Sequence, residues 1–293
     1  MDPAADPRWR AGDEVLTGLV GLAQGDTMVV RDGDALLLRR GPVLVRCRPA
    51  AGRATAKREV LLAATLGDLG VPVTELVDRS EQPWTMDGCV VTAWRWVDAI
   101  GPAGPADLGP LARTLRERTA GTALALALPA LDPVAAITGA VAHLPSDDPE
   151  ATFVRHGAAA LAEPFADAAS DDPLGWSLVH GDLHGDNVVV GPDGPVLTDL
   201  ELSGAGPAGY DAAPAALAVR RYGHDPSTLE TFLSGFGADP RGWAGFVTYV
   251  AIYELWVTAW AVGVRGQDPS WATEASRRVA TLRNGTDERW VLR

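Results

Sequence analysis

Short apolar runs broken by Gly, Pro or Asp dominate the first hundred residues, and longer runs of helical spacing dominate the rest. Thr27 to Arg31, Ala35 to Arg39 and Pro42 to Arg48 read as three short strands, with Arg31-Asp-Gly-Asp34 and Arg40-Gly41 as turns. Alternation along the third strand puts Val43, Val45 and Cys47 on one face and Leu44, Arg46 and Arg48 on the other. Ala54 to Leu69 has a helical pattern, with Val60, Leu61 and Leu66 on its core side and Gly70 at its end. Val71 to Val77 and Cys89 to Val97 complete a small sheet of five strands. Met1 to about Asp13 reads as a loose arm.

Gly101, Pro102, Gly104 and Pro105 form a linker. Beyond it, Leu108 to Ala120, Pro133 to Leu144 and Thr152 to Ala169 read as helices, interrupted by Ser146-Asp-Asp-Pro149 and Ser170-Asp-Asp-Pro173. The Ala/Leu-rich stretch Thr122 to Leu131 reads as loop plus helix. These patterns divide the chain into a first part, 1–97, and a second part, 98–293. Phe246 to Val264 is nearly all apolar and close to the roughly 20 residues that span a membrane. Glu254 lies at its centre, flanked by Tyr249, Tyr253 and Thr258, so a buried helix is expected rather than a span. Its carboxylate then needs an arginine partner or faces a substrate cleft.

The densest chemistry lies in Leu178-Val-His-Gly-Asp-Leu-His-Gly-Asp-Asn-Val-Val-Val190, followed by Pro195-Val-Leu-Thr-Asp-Leu-Glu201. Val188 to Val190 and Val196 to Thr198 read as paired strands around the turn Pro192-Asp-Gly194. Asn187 then opens the first strand and Asp199 ends the second, while Asp182 sits on a loop five residues before Asn187. Two oxygen ligands and a separate carboxylate base suit phosphoryl transfer from Mg-ATP. The metal neutralises phosphate charge, and the base orients and deprotonates a hydroxyl.

These residues resemble the aminoglycoside phosphotransferase and choline kinase-like family, relatives of the protein kinases. His180-Gly-Asp182, Asn187 and Asp199 match the family's H-G-D-x-x-x-x-N and I-D-[FW]-[EG] pattern, and Gly206-Pro207 with Tyr210-Asp211-Ala-Ala213 looks like its following segment. The match is close from Leu178 to Ala213. The resemblance implies an α/β (α+β) two-lobed kinase-like fold, with a small antiparallel-sheet amino-terminal lobe and a mainly helical carboxy-terminal lobe. It implies Asp182 as the base, His180 as the orienter of its loop, Asn187 and Asp199 as Mg²⁺ ligands, and Asp211 fixing the loop from behind. Glu201 would be a further acid near the metal. A cation on the third strand would touch the ATP phosphates and a helix glutamate would hold it. Glu59 fits the glutamate by position. The cation is Arg46 or Arg48, and Arg46 is favoured because Pro49 is expected to disrupt pairing beside Arg48.

Val90-Val-Thr-Ala-Trp-Arg-Trp-Val97 would be the hinge, its backbone bonding adenine. Trp94 and Trp96 either wall the nucleotide pocket or pack between lobes. Trp243, Trp256, Trp260 and Trp271 lie on helices that in this family shape the acceptor pocket; such aromatic residues also serve as core. Two departures count against tight ATP binding: the third strand has no lysine, and Gly33 is the only glycine in the first turn. They leave open a rival class, a catalytically weak or inactive nucleotide-binding regulatory protein on the same fold. The intact Asp182, Asn187 and Asp199 oppose that rival.

Other motifs fail on their context. Asp182-Leu-His184-Gly-Asp186 opens like a binuclear metallophosphatase site, but the chain has only five histidines and no Gly-Asn-His step. Gly204-Ala-Gly206-Pro-Ala-Gly209 fits the dinucleotide fingerprint literally without the parallel strand and βαβ unit it requires. A Walker A loop is excluded, since the single lysine is Lys57.

The net charge of −13 argues against general nucleic-acid binding. It suits a small-molecule acceptor that is itself cationic, and equally suits plain solubility. Cys47 and Cys89 sit in apolar runs and read as buried reduced thiols of a cytoplasmic protein. The start Met1-Asp-Pro-Ala-Ala-Asp-Pro has no secretory-signal pattern. No membrane partner is expected, and the chain is expected to be a monomer or homodimer.

Overall fold

Asp-Pro steps start many of the helices. Asp6-Pro7, Asp132-Pro133, Asp148-Pro149, Asp225-Pro226 and Asp268-Pro269 each open one, the aspartate accepting a backbone N–H of the first turn and the proline supplying a preset φ. The computed structural model describes residues 6–19, 21–33, 35–78, 82–121 and 128–291. The expected turn residue Asp34 and most of the Ala/Leu-rich stretch from Thr122 lie outside them.

Two units divide the chain: Met1–Ala103 with Asp186–Glu201, and Gly104–Gly185 with Leu202–Arg293. The boundary expected after Val97 therefore falls after Ala103, inside the Gly/Pro linker. The hairpin segment Asp186–Glu201, expected in the second part, belongs to the first.

The first unit opens with α1 (Pro7–Gly18), which corrects the expected loose arm. Ala11, Val15 and Leu16 recur at helical spacing and pack into one core with Leu38, Val45, Cys47, Val91 and Ala93. The strands are β1 (Met28–Asp32), β2 (Leu36–Arg40) and β3 (Val43–Pro49). Next come α2 (Arg53–Asp68), β4 (Trp84–Met86) and β5 (Cys89–Arg95). The sheet is antiparallel in the order β1-β2-β3-β5-β4. On β3, burial alternates as expected. Pro49 does not break the pairing beside Arg48, because Arg48 lies opposite Val90 and Pro49 opposite Cys89.

The fifth strand is β4 rather than Val71 to Val77. Pro72 has no N–H to give a ladder, and the segment splits its backbone bonds between two neighbours. Thr74 N–H donates to Leu197 O at 2.9 Å, and Val77 N–H donates to Ala93 O at 3.1 Å. On α2, Ala56, Glu59, Val60, Ala63 and Leu66 form the buried stripe with Leu62, whereas Leu61 is exposed. Leu61 lies two residues past Glu59, off the three-and-four spacing of that stripe.

In the second unit, α3 (Pro105–Thr119), α4 (Pro133–Ala140) and α5 (Pro149–Ser170) precede β6 (Trp176–Val179). The hairpin of the first unit, β7 (Val188–Gly191) and β8 (Gly194–Leu197), comes next in the chain. Then β9 (Gly204–Pro207) pairs antiparallel with β6. Helices α6 (Ala213–Tyr222), α7 (Pro226–Phe236), α8 (Phe246–Val264) and α9 (Pro269–Asn284) complete the unit. The glycine-rich stretch Gly204 to Gly209 is thus an antiparallel strand and a 3₁₀ turn, not a dinucleotide loop. A Cβ on Gly204 would meet Pro129 O at 2.6 Å, so close backbone packing accounts for that glycine.

Helix α8 is long and apolar enough to cross a membrane by length and composition, yet 61 % of that stretch is buried inside the protein. Helices α4, α5, α6 and α9 pack around it, which explains an apolar surface on all sides. Glu254 takes the arginine partner of the two alternatives: it is 4 % exposed, accepts from Arg221 Nε, and has Arg220 at 3.6 Å. The same Arg221 donates to Thr286 O and Glu288 O, fastening the segment after α9.

Candidate active site

In the first unit, the antiparallel register pairs Val188 with Leu197. Asn187 therefore falls opposite Thr198, and its carbonyl accepts Thr198 N–H at 2.9 Å. Asp199 follows one residue later, so Asn187 and Asp199 share one end of the hairpin. The chain turns sharply there, for Asp199 holds a left-handed φ of 56°, a conformation that aspartate tolerates better than most residues.

Arginine takes the place where lysine was missing, and it does so twice. Arg46 Nη1 donates to Glu59 Oε1 at 2.6 Å and lies 3.4 Å from Asp199 Oδ1. Arg48 Nη1 donates to Glu59 Oε2, and Arg48 Nη2 lies 3.2 Å from both Glu59 Oε1 and Glu201 Oε2. The two arginines are not surface charges on an edge strand: β3 is interior to the sheet, and their side chains keep 18 % and 12 % of their surface. Burial works against the Arg46 charge, but Glu59, Asp199 and Glu201 outweigh it and raise its pKa. Partial burial, then the charges of Asp199 and Glu59, push the Glu201 carboxyl up against the pull of Arg48 and Arg46. Oxygens of Glu59, Asp199 and Glu201 all lie within 4.8 Å of one another. Among the described residues this is the one such group of candidate ligands, and it includes neither Asp182 nor His184.

A cavity of about 180 Å³ in this unit is lined by Arg46, Glu59, Trp94, Trp96, Val189 and Asp199, among others. Both tryptophans thus wall a cavity. Trp94 Nε1 donates to Thr92 Oγ1, and Trp96 stacks under Arg39 with its Nε1 on Asp98. Of the expected hinge Val90 to Val97, the part up to Arg95 is strand. Ala93 N–H is held by the Gln82 amide, Arg95 N–H by Glu75 O and Trp96 N–H by Pro42 O.

In the second unit, His180 and Asp182 occupy a braced loop. Asp211 is 2 % exposed and its carboxylate accepts His180 N–H at 2.8 Å and Gly181 N–H at 2.9 Å. His180 is fully buried; its carbonyl accepts Ser203 Oγ–H, and its Nδ1 faces Asp182 N–H at 3.3 Å. Gly181 has φ +83°, and a Cβ there would meet Leu202 O at 2.8 Å, so the middle residue of the motif must be glycine. Burial pushes the Asp182 carboxyl up, but the hydrogen bond and charge of His184 and the Tyr253 hydroxyl outweigh it and hold it below its ordinary value.

Sequence reasoning gave Tyr253 no part in the site and weighed His184 only as a metal ligand. The tyrosine hydroxyl donates to Asp182 Oδ1 at 2.7 Å, and His184 Nε2 lies 3.5 Å from Oδ2. No local signal places a residue on α8 beside a loop 71 residues earlier. Of the tryptophans, Trp256 lines a small cavity with Asp132, Gly181 and Tyr210. Trp260 and Trp271 pack edge to face at 4.8 Å, and Trp243 packs against Tyr249.

Residues 16–246 match the model of the phosphotransferase enzyme family. The chain belongs to that family. Solved structures share the fold at low identity. The choline kinase LicA from Streptococcus pneumoniae is 18 % identical with a TM-score of 0.62, over 92 % of this chain and 97 % of its own. The amicoumacin kinase hAmiN, in complex with AMP-PNP, Ca²⁺ and Ami, is 14 % identical with a TM-score of 0.67, over 94 % of this chain and 93 % of its own. An aminoglycoside phosphotransferase from Streptomyces rimosus is 20 % identical with a TM-score of 0.59, over 82 % and 95 %. No curated protein matches the sequence. The expected family and the two-lobed kinase-like fold are borne out.

Proposed function

We propose that this phosphotransferase moves the γ-phosphoryl group of ATP to a hydroxyl of a small molecule. The observation that carries the reading is the hairpin end that holds Asn187 and Asp199, five residues after a carboxylate on a braced loop. Arg46 faces the nucleotide cavity and is held by Glu59, as a phosphate contact should be. Trp94 and Trp96 offer apolar walls for the base. The donor set of one amide and neighbouring carboxylates is hard oxygen, which fits Mg²⁺; Asn187 and Asp199 would hold it. Bound there, the ion supplies charge neutralisation to the phosphates. Asp182 is kept ionised and acts as the base, and His180 and Asp211 hold its loop.

The acceptor is an aminoglycoside, another amino sugar or a choline-like alcohol. The net charge of −13 favours a cationic one, and Trp256 and Tyr253 supply aromatic surface near the base. The reaction needs no nucleic acid or membrane, and the expected setting is a cytoplasmic monomer or homodimer. The test is calorimetric titration with Mg-ATP, then transfer from γ-labelled ATP to choline, ethanolamine, aminoglycosides and amicoumacin. Binding with transfer to one of them supports the reading. Binding with neither transfer nor hydrolysis favours a regulatory protein, and no binding at all overturns both.

A further inference from the structure

Tyr253 comes from the middle of α8 and is 4 % exposed, so its hydroxyl calls for a partner inside the protein. Its partner is the Asp182 carboxylate, at 2.7 Å. A fully packed tyrosine ring is a rigid donor with only two side-chain torsions. We propose that Tyr253 is the positioning residue of the base: its hydroxyl pins Oδ1 of Asp182, so that Oδ2, with His184 Nε2 3.5 Å away, is the oxygen that takes the acceptor proton. This rests on the reading of Asp182 as base.

The step balances as follows. The acceptor O–H proton passes to Asp182 Oδ2 as the acceptor oxygen bonds the γ-phosphorus. The bond from γ-phosphorus to the β–γ bridging oxygen breaks, and its electron pair leaves with the nucleoside diphosphate. The proton then passes from Asp182 to solvent. A carboxylate turned by a rotamer step would miss the hydroxyl, and orientation of this kind is worth orders of magnitude in rate.

The groups facing Asp182 are His184 and His180 on its own loop, Tyr210 and Asp211 just after β9, Tyr222 on α6, and Tyr253 on α8. The Tyr253 hydroxyl donates to Oδ1. Burial, then the charge and hydrogen bond of Asp182, hold its own phenol well above the ordinary range, so it remains a donor at any working pH.

The experiment uses the full chain with ¹³C-carboxyl-labelled aspartate, the Asp182 resonance being assigned by its loss in Asp182→Asn. In Tyr253→Phe the Asp182 carboxyl should titrate about one pH unit higher, the effect of one charge-assisted hydrogen bond. Mg-dependent ATP hydrolysis, with water as the acceptor, should fall at least about tenfold in kcat with KM for ATP unchanged. A titration left where it was in Tyr253→Phe overturns the proposal, and so does a shifted titration with full kcat. If Asp182→Asn itself keeps full hydrolysis, the reading of Asp182 as base fails instead. Should the wild type hydrolyse no ATP, the titration alone decides whether Tyr253 holds the carboxylate. Tyr253→Leu, which lacks the ring, separates packing from hydrogen bonding: a merely structural tyrosine would lower the melting temperature in both variants and leave the Tyr253→Phe titration unmoved.

Discussion

Arg46 donates to Glu59 at 2.6 Å, and that glutamate, 1 % exposed, also binds Arg48. One buried carboxylate thus organises both cations of the strand. Glu59→Gln keeps the shape and removes the charge, leaving two guanidiniums side by side. Breaking a buried pair in this way costs about 3–5 kcal/mol. The unfolding midpoint in urea should fall accordingly, and Mg-ATP affinity should drop with it. Arg46→Lys keeps the charge but loses the fork. Unchanged affinity in that variant would show that the charge alone matters; a loss of tenfold or more would show that the geometry does.

Asp182→Asn should retain nucleotide affinity and lose most transfer, since a general base contributes about 10²–10⁴-fold in rate. His180→Ala should behave in the opposite way. Its ring is fully buried and its Nδ1 faces the Asp182 backbone N–H, so its removal leaves a cavity and a loosened loop. The expected outcome is a lower melting temperature with a smaller rate loss. Full turnover in Asp182→Asn together with a folded, inactive His180→Ala would reverse the two roles.

Much of the site was legible because it is local. Asn187, Asp199 and the turn between them follow from two short apolar runs joined by a Gly/Pro turn, and the register fixes which residues share an end. Asp211 was legible through its motif alone; its bonds to His180 and Gly181 span about 30 residues. What stayed hidden was long-range. Glu59 was placed by position, but that it holds both arginines depends on how α2 lies on β3. Tyr253 reaches Asp182 from a helix whose sequence speaks only of burial. The amino-terminal helix was missed because Asp6 and Pro7, which start it, also suit an irregular arm, and its apolar residues make sense only against the sheet they cover.

Asp148 gives a prediction about acid. It caps α5, accepting Ala151 N–H at 2.9 Å and Glu150 N–H at 3.1 Å, and it pairs with Arg265. Burial raises its carboxyl, but the backbone donors and Arg265 prevail and hold it below the ordinary value. A depressed folded pKa means the stabilisation is complete above the unfolded value near about 3.9 and is lost as pH falls through the lower folded one. Asparagine caps as well as aspartate, so Asp148→Asn should lose only the charge and be about 0.3–1 kcal/mol less stable than the wild type at pH 7. The gap should close as the pH falls through the depressed folded pKa, where both side chains become neutral. A gap that stays constant through that titration would mean the charge contributes nothing.

Gly12 and Cys47 give a prediction about packing. Cys47 is fully buried under α1, and burial, then its neighbour Cys89, pushes its thiol up to about 12. Cys89 is also buried and its thiol also raised. At pH 8 neither should react with an aromatic disulfide reagent in native buffer, while both should react in urea, because the thiolate is the nucleophile. The helix lies close enough here that a Cβ on Gly12 would sit 2.6 Å from Cys47 Sγ and 2.8 Å from a Leu38 methyl. Gly12→Val forces α1 off the sheet at an overpacking cost of about 1–3 kcal/mol. It should expose Cys47 to the reagent in native buffer, with Cys89 following more slowly or not at all. Fast modification of Cys47 in the wild type would mean that α1 does not cover the sheet in solution, and the amino-terminal segment would then be the loose arm its sequence first suggested.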